Sequence, residues 1–372
     1  LLFVYGDGIS SGDVTGGGIL FGSTVGNTTI KLKGNWSFNG TITNRVSVTF
    51  QGTTDATVSA VSANNFWSVV FEKNAGTTLF LNVTPQHTPP GVFTMTSGNI
   101  CYNQAGVQTV KPATYPANLT LAGSGIKTTT GVTVNGILSM EGTSTASAAI
   151  GYGASATLQY KTTDNRNQGP EWITPFSSSG GIIIDNPGAT ITLNAAKTIS
   201  SVLIGSSLEL KSGILAAGTF LTLTSTPSFF TGITRSEGSI TGTLQGTGNY
   251  KVTYLGNTKT SGPELANSGL INLTLNLSSG QTLTLDATRT LGGILTLTSG
   301  EVITGANTLI LGSSSISAIV GGSSTSYING NLRRAIAGGA WTYFYPIGTS
   351  TAYAPVSMAF SSSTTLGSLT GY

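Results

Sequence analysis

The chain has 372 residues, of which only 8% are charged and 51 are glycine. Its 16 basic and 13 acidic residues leave a net charge of +3 and are scattered, with Lys31/Lys33 and Arg333/Arg334 the closest basic groupings, so the dense basic face of a nucleic-acid binder is missing. Abundant Thr, Val and Ile with little charge argues against disorder, and no apolar run reaches the roughly 18–20 residues of a membrane helix.

Residues 1–34 read as short strands between Gly-rich turns, beginning with the apolar stretch Leu1–Tyr5. They are expected to cap the fold or to meet another subunit. Residues 35–142 form a first section, with WSFNGTI, VSVTF, FWSVVFE, TTLFLNVT and VFTMTSG separated by Gly, Asn and Ser. An irregular, proline-marked stretch at 101–117 interrupts it before NLTLAGSGIKTTTGVTVNGILSMEG resumes the rhythm. Residues 143–234 and 235–322 read as two diverged copies of one module, and 323–372 as C-terminal strands. The copies share a Gly-Pro-Glu, at Gly169–Glu171 and Gly262–Glu264, and Pro170 and Pro263 lie 93 positions apart. They also share a turn phrase. LELKSG ends at Gly213 and ILTLTSG at Gly300, 87 positions on, and VFTMTSG ending at Gly98 is a third relative.

In each run an aliphatic residue alternates with Thr or another small residue. The period of two puts aliphatics on one face of a strand. The stretch QTLTLDATRTLGGILTLTSGEVITGANTLILG, Gln281–Gly312, is the clearest case. Tandem β-sandwich modules of about 100 residues would fit the module length. The shorter internal rhythm favours an all-β, right-handed parallel β-helix, a β-solenoid whose coils of roughly 20–25 residues stack like on like. The Y-x-V-x-Y and Gly-Pro-Glu segments are expected to leave it as longer loops.

The phrases NLTLAGSGIKTTTGVTVNGIL, LTLTSGEVITGANTLILG and SYINGNLRRAIAGGAWTYFYPIGTSTAYAPVSMAF resemble the repetitive β-helical surface proteins of Bacteroidota that are often exported by the type IX route. The resemblance covers most of residues 35–360. It implies an extracellular, cell-surface stalk, adhesin or fibre, and it supplies no catalytic residues. The C-terminal sorting domain of that route is not seen in the sequence. The chain starts and stops in mid-pattern, as a piece of something longer would.

Chemistry-bearing residues are sparse. His87 is the only histidine, in the loop TPQHTPPG, and Cys101 the only cysteine, so no intrachain disulfide forms. The 13 acids never lie within four positions of each other. Phosphate loops at GDG, 6–8, and GTGN, 246–249, lack the following helix that the mechanism needs. No catalytic residue, cofactor or metal site is expected, and no enzyme. Aromatics are the best binding hint. Trp341, Tyr343 and Tyr345 alternate along one strand and Trp172 is expected in a long loop, so these four are the candidates for contacts with glycans or partners. The bland reading has them packed beneath loops or capping the fold. Strand edges left open at Leu1–Tyr5 and near Tyr353–Phe360 would join further copies or further modules. A glycan-binding or polysaccharide-degrading β-helix is the alternative, and its mark would be acids clustered with Lys or Arg in one cleft.

Overall fold

The computed structural model describes residues 2–3, 8–10, 12–22, 26–59, 65–87, 90–201, 207–226, 229–246, 248–362 and 367–372. The chain is all-β and folds as a β-solenoid. Among the described residues the only helical pieces are two 3₁₀ turns, Pro263–Leu265 and Ile316–Ala318. By contacts it divides into two compact units, 1–164 with 169–173, and 165–168 with 174–372.

In the first unit each coil contributes short strands to separate parallel sheets. Thr28–Leu32, Val46–Gly52, Val69–Lys73 and Phe93–Ser97 stack in one of them. Thr78–Leu81, Asn99–Tyr102, Leu119–Leu121, Ile137–Met140 and Thr157–Tyr160 stack in another. Register makes like sit on like. Ile100, Leu119, Leu138 and Leu158 form one column, and Leu81, Tyr102, Leu121, Met140 and Tyr160 the next. All of these are buried, and each aliphatic member contributes about 1.5–3 kcal/mol relative to exposure. The coil step varies: Ile30 faces Val48, 18 residues on, while Val69 faces Phe93, 24 on.

The second unit repeats the scheme. Ile182, Leu208, Ile233, Val252, Leu273 and Leu295 form a buried column. Beside it run Ile184, Leu210, Arg235, Tyr254, Leu275 and Leu297. Parallel pairing one coil apart excludes the tandem-sandwich alternative, whose strands would pair antiparallel.

Two local devices explain the turn chemistry. Gly98, Gly213 and Gly300, the glycines of the repeated phrase, have φ of +84°, +72° and +94°, a region that L side chains avoid. Each also touches the preceding coil. A Cβ on Gly213 would lie 2.1 Å from the Asn186 carbonyl oxygen, and one on Gly300 would lie 2.9 Å from that of Gln281. The second device is a side-chain staple between coils. The Asn35 amide N–H donates to Asp13 Oδ1 at 2.8 Å, and that of Thr57 donates to Asn35 Oδ1 at 2.8 Å. The Thr78 N–H likewise donates to Asp55 at 2.7 Å, and the Ile137 N–H to Asn118 at 2.8 Å. Within the second unit the Ile294 N–H donates to Asn272 at 2.9 Å. Asn and Asp mark the turns because their short acceptors reach the next coil's orphan donors.

The C-terminal strands depart from the parallel rule. Gly367–Gly371 runs antiparallel along Leu332–Ile336, and Val356–Phe360 antiparallel along Trp341–Tyr345. The open edge expected near Tyr353–Phe360 is therefore paired on one side, and the Leu332–Ile336 edge is covered. Of the stretch Leu1–Tyr5, Leu2–Phe3 pairs parallel with Leu20–Phe21, and the rest lies outside the described residues.

Candidate functional site

Of the four aromatic candidates, only Trp341 presents a ring to solvent, at 44% exposure. Its indole N–H donates to the Gly338 carbonyl at 2.9 Å. Tyr343 and Tyr345 are buried and hold a buried Arg334, whose guanidinium lies 5.1 Å and 5.8 Å from their ring centres. That guanidinium donates to the carbonyls of Phe344 at 2.6 Å and Ser315 at 2.9 Å. The Tyr343 hydroxyl donates to the Ser314 carbonyl at 3.0 Å and accepts from the Ala337 N–H at 2.8 Å. These two rings are packing elements around a cation. Trp172, in the other unit, is fully buried against Tyr160, ring centres 6.1 Å apart.

The Gly-Pro-Glu segments fold inward rather than looping out. Glu171 is completely buried. Its Oε1 accepts from the Tyr160 hydroxyl at 2.8 Å and the Gly169 N–H at 2.9 Å, and its main-chain carbonyl accepts from the Tyr152 hydroxyl at 2.7 Å. The second copy repeats this within its own unit. Glu264 is completely buried, and its Oε1 accepts from Arg235 Nη1 at 2.6 Å and from the Tyr254 hydroxyl at 2.6 Å. Its carbonyl accepts from the Tyr250 hydroxyl at 2.9 Å. Two tyrosines bind each glutamate, one at the carboxylate and one at the backbone. Burial, reinforced by the adjacent carboxylate, pushes the Tyr152 and Tyr254 hydroxyls well above the ordinary phenol value. They therefore stay protonated donors. The arrangement anchors a turn in the core, and neither carboxylate reaches solvent. The signal was present in the sequence as the recurrence of paired tyrosines ahead of Gly-Pro-Glu.

His87 lies in the short strand Gln86–His87, half-buried, with Nδ1 3.0 Å from Lys111 Nζ. Lys111 also covers the Phe93 ring at 5.4 Å. Burial first, then the Lys111 charge, holds the imidazole below its usual pKa, so it accepts from the ammonium as a neutral ring. Cys101 is buried in Asn99–Tyr102, and burial raises its thiol to about 12. The thiolate is the reactive form, so iodoacetamide at mildly alkaline pH is expected to leave Cys101 unmodified in the native protein and to alkylate it fully in denaturant. Mass spectrometry reads both, and rapid native alkylation would contradict the buried placement.

Among the described residues no three of His, Cys, Asp and Glu converge to hold a metal ion. Gly6, Asp7 and Thr247 of the two glycine-rich phrases lie outside the described residues. Comparison with protein-family models, curated proteins and solved structures finds no match to this chain.

Proposed function

We propose that the chain is an extracellular structural and adhesive protein, a stiff β-solenoid stalk or fibre subunit at a cell surface. The observation that carries this reading is the stacked ladder within each unit. In the ladders of both units, successive coils are hydrogen-bonded along parallel strands, and aliphatic side chains stack on one another in buried columns. Each coil buries its apolar face only by stacking on its neighbours, so stiffness comes from the fold itself. The resemblance to Bacteroidota surface proteins, with type IX export, supports the location. The role is mechanical, with no catalytic step. In this reading self-association, attachment of further modules and glycan contacts belong to the coil faces and loops, since the Leu332–Ile336 edge is already paired.

Immunogold labelling and protease shaving of intact cells that make the protein test the reading. Label at the outer surface, removed by external protease, is expected. Label confined to the cytoplasm and resistant to protease would sink it.

A further inference from the structure

The outer face of the sheet containing Thr28–Leu32, Val46–Gly52, Val69–Lys73 and Phe93–Ser97 carries a second, polar column. Leu32, Phe50 and Phe71 stack in register and are fully buried. The residue after each of them faces outward: Lys33, Gln51 and Glu72. Gln51 pairs with Glu72, and Glu72 with Ser97 of the next coil. Successive strands are about 4.8 Å apart, so the four positions span roughly 14 Å across the strands. Gly52, Thr53, Asn74 and Ala75 form the rim, and together these residues line a groove of about 600 Å³.

The floor of this groove is fixed. Lys73 turns inward, 1% exposed, and its ammonium donates to the Gln51 carbonyl at 3.0 Å and the Lys33 carbonyl at 3.4 Å. Ser97 Oγ donates to the Lys73 carbonyl at 2.7 Å. Four coils are thereby tied beneath the column. Among the described residues, the side chains of Lys33, Gln51, Glu72 and Asn74 make no hydrogen bond or ion pair, so their polar capacity is unspent.

We infer that this groove binds a neutral, linear glycan lying along the column. Lys33 only donates, Glu72 only accepts, and Gln51 and Asn74 do both. A pyranose hydroxyl also does both, and the length of one pyranose unit is close to the coil spacing. A polyanion would meet the Glu72 carboxylate and a polycation the Lys33 ammonium. The polar lining offers a lipid chain no apolar bed. The inference is independent of where the protein is exported, since it concerns the purified chain.

Saturation-transfer NMR and calorimetry on the full chain test it, with cello-, xylo-, laminari- and malto-oligosaccharides as neutral probes and oligogalacturonate and heparin oligosaccharides as acidic ones. At least one neutral series is expected to bind. The combined variant Lys33→Ala, Gln51→Ala, Glu72→Ala is expected to weaken it roughly tenfold or more, the sum of a few modest hydrogen bonds. Glu72→Gln keeps the shape and removes the pure acceptor, so it is expected to lose affinity several-fold with an unchanged thermal melt. Absence of neutral binding, equal binding by the variants, or binding of acidic probes alone would each overturn the inference.

Discussion

Replacing Glu264 with alanine is expected to destabilise the second unit by about 3–5 kcal/mol, the cost of leaving one member of a buried ion pair behind. Arg235 occupies a core column between Leu210 and Tyr254 and is itself buried. Its Nη1 lies 2.6 Å from Glu264 Oε1. Without the carboxylate, the guanidinium keeps the carbonyls of Gly238 and Thr260, each at 2.8 Å, and the Tyr254 ring face, 5.9 Å from its centre. Those dipoles offset part of its desolvation and none of its net charge. The Tyr254 hydroxyl loses its acceptor as well, while Tyr250 keeps the Glu264 main-chain carbonyl, which alanine retains. Replacing both partners, Arg235→Met with Glu264→Leu, is expected to recover most of the loss, because no charge then stays buried. Denaturant unfolding of the parent and the two variants measures each step. A single variant within 1 kcal/mol of the parent, by the same buried-pair standard, would show that Arg235 is solvated.

The coil itself was legible. Period-two alternation put Leu119, Leu121 and Leu138 on an inner face, and the repeated Ser-Gly phrase marked corners where a positive φ and a close coil leave room only for glycine. What escaped was anything that depends on coil length. Lys33, Gln51 and Glu72 are 18 and 21 positions apart, and only the register places them in one column. No grouping of polar residues close in sequence brings them together for that reason. The inward fold of Glu171 and Glu264 escaped for another reason. Burying a carboxylate is unfavourable without hydrogen bonds, and the tyrosines that supply one to each Oε1 lie ten or more positions upstream. The alternation of Trp341, Tyr343 and Tyr345 identified a strand. Its partner and direction, antiparallel to Val356–Phe360, come from a return of the chain that no local pattern encodes.

Trp172→Ala is expected to cost the first unit about 3–5 kcal/mol, as truncation of a fully buried aromatic does when its surroundings cannot close the gap. The indole is fully buried against Tyr160, whose hydroxyl is tied to Glu171. Tyr160 in turn is hydrogen-bonded in register to Met140 through the backbone ladder. None of these neighbours can move into the cavity without breaking a coil-to-coil bond, so collapse is resisted more than at a loosely held site. Trp172→Phe refills part of the volume and is expected to restore part of the stability. Hydrogen exchange at the Leu119–Leu121 and Ile137–Met140 amides reports on this unit separately from the other. The same variants separate packing from recognition. A buried ring touches no ligand, so oligosaccharide binding in the Lys33 groove should persist wherever the variant remains folded. Lost binding with unchanged stability and exchange would instead make Trp172 a contact residue and contradict its burial.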